Sequence, residues 1–400
     1  MSKKKGMADV IAGLTKQFGS SVLVDFNEKL DYIYTGSIIL NKILGIPGYP
    51  KKRISEIYGP ESSGKSTLAM IAAANVLNEG GNVVYLDYEG SFVVEYAHAL
   101  GFPVELINDH NRFVLVNPED LEKGWEVVRS LLENADKIDL IIIDSLAAMT
   151  PRALLEGDPE KTPQVGLQAR KVGLFLAEIS KTILETNTAL LIVNQIRNRI
   201  KSSPMDFGPE TDSPGGRALK FYATLRVELS PGRKETREGI NPVTGIKDDV
   251  PFGTFVNATC RKNKLATPFR KGAFFLEYGV GVDNLRSLVD LAENLNIIKR
   301  KGSYYIVDSD FALRQDDKFM SGDEPKFQGF ENMYQYFAFH ADMREKLADR
   351  VLLTPDEQIA QETLAEDAKT AYTPAEVAID KENAKPVTPK RKSKEAPKEA

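Results

Sequence analysis

An α/β fold, built on a twisted, mostly parallel sheet with helices on both faces, is predicted by three observations. Between Arg53 and about Glu228, apolar runs of strand length alternate with helix-period runs. Parallel strands joined by crossover helices leave this pattern. One such strand, at 54–58, passes through a glycine-bounded loop straight into a helical pattern, with residues 54–67 reading ISEIYGPESSGKST. The 400 residues are 42% hydrophobic, enough to bury one large core and a smaller one.

In chain order, residues 1–5 are a frayed basic lead. Ala8, Val10, Ile11, Leu14 and Phe18 then recur at helical intervals until Gly19. This is an amphipathic helix that must dock on its own core or on a neighbouring subunit. Residues 20–50 read as short strands and turns: Thr35-Gly36-Ser37 opens a segment 38–43, and Pro47-Gly48-Tyr49-Pro50 punctuates it. Strands follow at 54–58, 83–87, 113–116, 140–144, 189–194 and 223–228, with helical patterns at 66–78, 92–100, 119–134 and 164–186. A further β-type run covers 254–259. Residues 285–305 place Leu285, Leu288, Val289, Leu291, Leu295 and Ile298 on a helix ending in Lys299-Arg300-Lys301-Gly302, and helical pattern continues to about Leu353. Residues 354–400, poor in aromatics and rich in Ala, Glu, Lys and Pro, read as a disordered charged tail. Its acids dominate 356–380, whereas Lys390-Arg391-Lys392 and Lys394 make the end basic.

The chemistry collects at strand ends, where ligands sit in such sheets. Gly59-Pro60-Glu61-Ser62-Ser63-Gly64-Lys65-Ser66-Thr67 matches G-x-x-x-x-G-K-[ST]. Its glycines let successive N–H groups face phosphate oxygens in front of a helix N-terminus. Lys65 then reaches the β- and γ-phosphates, and the Ser66 hydroxyl joins a Mg²⁺ shell. Asp144 closes the apolar run 140–143, and a cation on the nucleotide is the reason for an acid there; the plainer alternative is a helix-capping aspartate. Glu89, two residues past the strand 83–87, is placed to polarise the attacking water, or else to complement a helix dipole. Gln195, just past the strand 189–194, is suited to sense a γ-phosphate or is simply a polar loop residue. After it, residues 196–222 are rich in Ser, Pro and Gly and carry Arg197, Arg199, Lys201, Arg217 and Lys220. Gly215-Gly216 before Arg217 offers close backbone approach beside a charge, suited to a phosphodiester strand. A flexible surface loop is the alternative. Residues 156–165 form a smaller loop of the same kind. Lys262-Asn263-Lys264 beyond the 254–259 run serve a surface or a phosphate on a neighbouring molecule.

The formal charge of −5 argues against an all-over nucleic-acid surface and leaves room for a local basic groove. A single cysteine, Cys260, excludes an intrachain disulfide, and three histidines give no zinc cluster. With no membrane-length apolar run or cleavable leader, a soluble cytoplasmic protein is expected.

Taken together, these segments resemble the RecA-type recombinases. The likeness rests on TGS at 35–37, EIYGPESSGKST at 56–67, the strand end 87–89 and IIIDSLAAMTPRA at 141–153. It continues through GLQAR at 166–170, VNQIR at 193–197, FGPET at 207–211, GGRALKFYA at 215–223, KNKLATPF at 262–269 and YGVG at 278–281. The resemblance, from about residue 8 to 305, implies the family's ATPase core with an N-terminal helix and a small C-terminal α+β domain. The corresponding divisions are 1–35 for the oligomerisation helix and linker, 36–283 for the core, 284–353 for the small domain and 354–400 for the tail.

The resemblance also implies roles. Glu89 would be the catalytic carboxylate, and Gln195 the γ-phosphate sensor that couples to the DNA loop after it. Residues 156–165 and 196–216 would be the DNA-contacting loops, with Arg170, Arg197 and Arg217 near the phosphodiester backbone. Lys262 and Lys264 would cross to the neighbour's ATP, Tyr96 and Tyr278 would pack near the adenine, and the N-terminal helix and Phe221 would sit at the subunit interface. Arg300 matches a basic position that receives duplex DNA. Three positions depart from the family: Val93 stands where an aspartate usually faces the adenine, Gly90 where a histidine is usual, and Asp206 where an apolar residue is usual. Such departures suit a viral or mobile-element version. The implied function is an ATP- or dATP- and Mg²⁺-dependent recombinase that forms filaments on single-stranded DNA and pairs it with homologous double-stranded DNA, helped by single-strand-binding and loader proteins. The competing readings are a ring-forming helicase on the same fold and a recombination mediator without strand exchange.

Overall fold

The computed structural model describes residues 6–18, 30–134, 137–157, 166–198, 211–212, 216–308, 311, 313, 318–320 and 326–352. The expectations for residues 1–5 and 19–29, for 158–165 and 199–210 of the two loops with Arg199, Lys201 and Asp206, for Gly215, and for the tail after 353 lie outside the described residues.

Helix α1 (Met7–Phe18) carries the expected apolar stripe, and its Val10, Ile11 and Leu14 are exposed in the single chain. Strands β1 (Tyr32–Ile33) and β2 (Tyr49–Pro50) pair antiparallel on either side of α2 (Ile38–Leu44) in the chain. Residues 38–43 were expected among short strands and turns, and they are helical. The Ser37 hydroxyl accepts the Leu40 amide at 3.2 Å, and Gly45 at φ +63° closes the other end. These end signals outweigh the β-branched run.

The strands β3 (Ile54–Gly59), β4 (Val83–Asp87), β5 (Phe113–Val116), β6 (Leu140–Asp144) and β7 (Ala189–Gln195) form a parallel array. Between them run α3 (Lys65–Asn78), α4 (Val94–Ala99), α5 (Leu121–Asn134), α6 (Arg152–Leu155) and α7 (Leu167–Glu185). Short β8 (Arg197–Asn198) and β9 (Thr211–Asp212) pair with each other, and α8 (Gly216–Tyr222) leads into β10 (Leu225–Ile240). β10 is parallel to β3, and β11 (Lys247–Asn263), β12 (Lys271–Glu277) and β13 (Gly281–Val282) extend the sheet antiparallel. The nine-stranded order is β13-β12-β11-β10-β3-β7-β6-β4-β5.

Both faces are covered, as the unbroken apolar strands require. On β6, Leu140 and Ile142 join a core with α2, α3 and α4, while Ile141 and Ile143 join a second core with α5 and α7. All four side chains are fully buried, each worth about 1.5–3 kcal/mol. The strands expected at 223–228 and 254–259 are the inner parts of much longer ones. β10 leaves β3 after Glu228 and β11 meets β12 only from Gly253 on, so past Glu235 the two leave the sheet as a ribbon.

Helix α9 (Asn284–Asn294) is capped by Asp283, whose carboxylate accepts the Arg286 amide at 2.8 Å. It ends before the basic run: Lys299, Arg300 and Lys301 lie on β14 (Ile298–Lys301), paired with β15 (Tyr304–Val307) and then β16 (Lys326–Gln328). The helical continuation expected after 305 therefore begins only with α10 (Gly329–Phe339) and α11 (Ala341–Leu352). Residues up to Arg344 belong to one compact unit, and those from Glu345 to a second, of which 345–352 are described. Among the described residues no helix is long and apolar enough to cross a membrane.

Candidate active site and nucleic-acid interface

The site is assembled at the carboxyl ends of β3, β4, β6 and β7. Gly59 ends β3 where a Cβ would lie 2.2 Å from the Leu229 carbonyl oxygen and 2.9 Å from Ser63 Oγ, so only glycine fits. Ser62 at φ +57° and Gly64 at φ +83° turn the loop inward, and Lys65 opens α3. The buried Ser63 hydroxyl donates to the Pro60 carbonyl at 2.8 Å, and Lys65 Nζ donates to the same oxygen at 2.6 Å. Burial lowers the Lys65 pKa, against the pull of Asp144, Glu89 and Glu61. A cation held near so few acceptors is matched to an anion entering the loop. Glu61 is exposed at the loop's outer edge.

Asp144 ends β6 with 1% exposure. Burial raises its pKa, while hydrogen bonds from the Tyr85 hydroxyl, at 2.7 Å, and the Ser66 hydroxyl draw it down. Ser66 and Asp144 thus meet as hard oxygen donors beside the lysine, a set that fits Mg²⁺. Thr67 Oγ1 lies 2.8 Å from the Tyr96 hydroxyl, which ties α4 to the first turn of α3. Tyr278 is about half exposed in the turn after β12. Just past that turn, on β13, a Cβ on Gly281 would lie 2.9 Å from Leu100, which follows α4, and 3.5 Å from Ile71 of α3.

Glu89 is exposed at the rim and is shaped by Asp87. The Asp87 carboxylate accepts the amides of Glu89, Ser91 and Phe92 at 3.3, 3.1 and 2.8 Å, curling the chain around the strand end. Glu89 Oε1 accepts the Gln195 side-chain amide at 2.9 Å and the Ser145 hydroxyl. Behind Gln195, Asn194 donates to the buried Glu56 at 3.0 Å, and Glu56 pairs with Arg226, whose guanidinium stands 4.5 Å from the Tyr58 ring centre. Tyr85, Asp87, Ser145 and the Glu56–Arg226 pair were given no role from the sequence. Only Asp87 had a signal there, since it closes an apolar strand as Asp144 does.

Arg170 and Arg217 are both exposed on the opening turns of helices in contact. A Cβ on Gly216 would lie 3.0 Å from Ala169 Cβ, and one on Gly173 would lie 3.4 Å from Ala218 Cβ, so α7 and α8 pack closely there. Arg197 lies on β8, whose backbone alone is described.

Lys262 and Lys264 are not brought to this loop. Lys262 is in register with Arg226, which faces Glu56, and the Lys264 amide donates to the Thr224 carbonyl near the start of β3. The five steps of β3 from Ile54 to Gly59 span about 16 Å at strand rise, beyond a lysine's reach. Lys262 Nζ instead donates to the carbonyls of Lys220 and Phe221, at 2.7 and 2.9 Å, at the end of α8. Lys264 and the 71%-exposed Phe221 line one cavity of about 310 Å³ with Lys52, Ile183 and Leu184.

Residues 5–283 match the model of the RecA N-terminal domain family. The chain belongs to the RecA family. Its relatives include Protein RecA of Lactobacillus johnsonii, 35% identical over 353 residues, covering 87% of this chain and 88% of that one. Protein RecA of Lactiplantibacillus plantarum is 33% identical over 404 residues, covering 95% and 97%, and that of Streptococcus gordonii is 34% identical over 372 residues, covering 91% and 89%. Family membership makes this chain a nucleotide-binding, DNA-dependent ATPase and strand-exchange recombinase of DNA repair, whose partners are DNA and further copies of itself.

Proposed function

We propose that the carboxyl-end site hydrolyses ATP, or dATP, with Mg²⁺, and that hydrolysis controls a filament on single-stranded DNA that pairs with homologous duplex. When bound, the Mg²⁺-nucleotide supplies the phosphoryl group whose loss changes the filament's grip. The observation that carries the reading is the convergence of Lys65, the Ser66–Asp144 pair and the Glu89–Gln195 contact on one loop that only glycine at 59 permits.

Residues 59–67 cradle the phosphates, Ser66 and Asp144 hold the cation, and Tyr96 and Tyr278 flank the base. Glu89 orients the attacking water, and its bond to Gln195 senses the γ-phosphate. Lys262 and Lys264, set at the opposite strand ends, serve the neighbour's nucleotide. The exposed apolar stripe of α1 and Phe221 seat on the next subunit, so nucleotide and assembly share one equilibrium. Arg170, Arg197, Arg199, Gly215, Gly216 and Arg217 hold the phosphodiester backbone, and base pairing between strands reads the sequence. Arg300, on β14, faces duplex DNA. The divisions 1–35, 36–283, 284–353 and 354–400, a cytoplasmic setting, and helper proteins for loading and strand protection complete the reading.

The test is ATP hydrolysis with and without single-stranded DNA, followed by joint-molecule formation with homologous duplex. DNA-stimulated hydrolysis with homology-dependent joints is expected. Lys65→Ala abolishes nucleotide binding, whereas Glu89→Gln binds ATP and stays locked on DNA. Normal hydrolysis by Glu89→Gln would remove Glu89 from its role.

A further inference from the structure

We propose that Ser145 and Gln168 are positioning residues that carry the state of the Glu89 carboxylate to the opening turn of α7, and so to Arg170. The proposal deepens the reading of Glu89 and Arg170 above and rests on it.

One oxygen of Glu89 accepts two donors from different strand ends: Gln195, closing β7, and Ser145, following β6. A carboxylate oxygen offers two lone pairs, and both are taken. Whatever that oxygen engages in the site must share with or displace one of the donors. Gln195 leads toward the loop after β7. Ser145 leads the other way, into a 3₁₀ turn at Leu146–Ala148.

That turn is not free to absorb a displacement. Leu146 and Met149 are fully buried against the core under α7. The Gln168 side-chain amide donates to the carbonyls of Met149, Leu146 and Ala147 at 2.8, 3.2 and 3.5 Å. Gln168 is the second residue of α7, and the Arg170 amide closes that helix's first turn onto Gly166 O at 3.0 Å.

The surroundings supply a fixed point. The Leu121 amide donates to Thr150 O at 2.9 Å, Glu122 accepts the Arg152 amide at 2.9 Å, and Lys171 pairs with Glu122 at 3.1 Å. The chain leaving the 3₁₀ turn and the helix returning past it are therefore both held to the first turn of α5. A shift at Ser145 is passed through Gln168 to the start of α7.

The experiment uses the full chain, ATP and an oligo-dT strand. It measures hydrolysis without DNA, stimulation by DNA, and the ratio of oligo-dT affinities with a non-hydrolysable ATP analogue and with ADP. Gln168→Met keeps the volume and removes the donors. It is expected to leave DNA-free hydrolysis unchanged and to compress the affinity ratio about tenfold, within the usual span of coupling between sites. Ser145→Ala compresses the ratio likewise, Ser145→Thr restores it, and the double variant is no worse than the poorer single, because both act on one path. A Gln168→Met protein with wild-type stimulation and ratio overturns the relay. So does one that loses DNA-free hydrolysis in step with its DNA response, which marks a structural role alone. Glu89→Gln in the same tubes separates the two levels: normal hydrolysis there removes the underlying reading, whereas lost hydrolysis beside an intact Gln168→Met ratio removes only the relay.

Discussion

Gly59 is where a single hydrogen in place of a methyl decides whether the phosphate loop can exist. An added Cβ would sit 2.2 Å from the backbone oxygen of Leu229 on β10, and backbone cannot swing aside as a side chain does. Gly59→Ala should lose nucleotide binding and cost about 1–3 kcal/mol, in the range of overpacked sites. Nucleotide titration and denaturant unfolding on one sample check both. Lys65 and Asp144 show the complementary effect of burial, the first lowered and the second raised, each because burial disfavours its charged form. These two residues stand out in the sequence because loop spacing, or an acid closing an apolar strand, is a local signal, whereas Glu89, two residues past its strand, is left open by the residues alone. Ser145 and Tyr85 were not. Their partners are 56 and 59 residues away, and only strand register brings them together.

Among the elements, the first turn of α5 is an anchor. Asp120 accepts Arg152 Nε at 2.7 Å and the Lys123 amide at 2.6 Å. The Arg152 hydrogen bond is the main cause holding the Asp120 carboxyl below its ordinary 3.8. A carboxylate depressed on folding stabilises the protein above its unfolded value and loses that contribution as pH falls through the folded one. Asp120→Asn should therefore be less stable than the parent above pH 3.8, with the gap closing below it. Denaturant midpoints across that range measure the closure, and a gap that stayed constant in acid would assign the loss to packing. At this scale the sequence was read well where periodicity was strong, as in α3, α5, α7 and the parallel strands. It was misread at α2, whose β-branched start hid a Ser37 cap and a Gly45 stop. The basic run after α9 was also misread, because four-residue strands such as β14 and β15 carry too little pattern to interrupt a helical reading.

For the whole molecule, the middle of the nine-stranded sheet holds an ionic pair rather than hydrocarbon. Glu56 is fully buried, paired with Arg226 on β10 and bonded to Asn194 on β7, and so it crosslinks three adjacent strands. Removing one partner leaves a buried charge, and Glu56→Ala should cost about 3–5 kcal/mol. Replacing both, as in Glu56→Leu with Arg226→Met, should cost much less than the single change. Unfolding of the three proteins in urea gives the comparison, and equal losses would deny that the uncompensated charge is the cause.

The ribbon that β10 and β11 make beyond Glu235 is different. Past Glu235 and before Gly253 its two strands have no other strand as a ladder partner, and it ends in an exposed turn with Ile240, Val243 and Ile246 at its tip. None of the parallel strands leans on that turn, so its length is a free variable for the fold. A dye or a short peptide can be grafted between Thr244 and Gly245 and read at intervals along an assembled polymer, one mark per protomer, while the catalytic end of the sheet is left as it was.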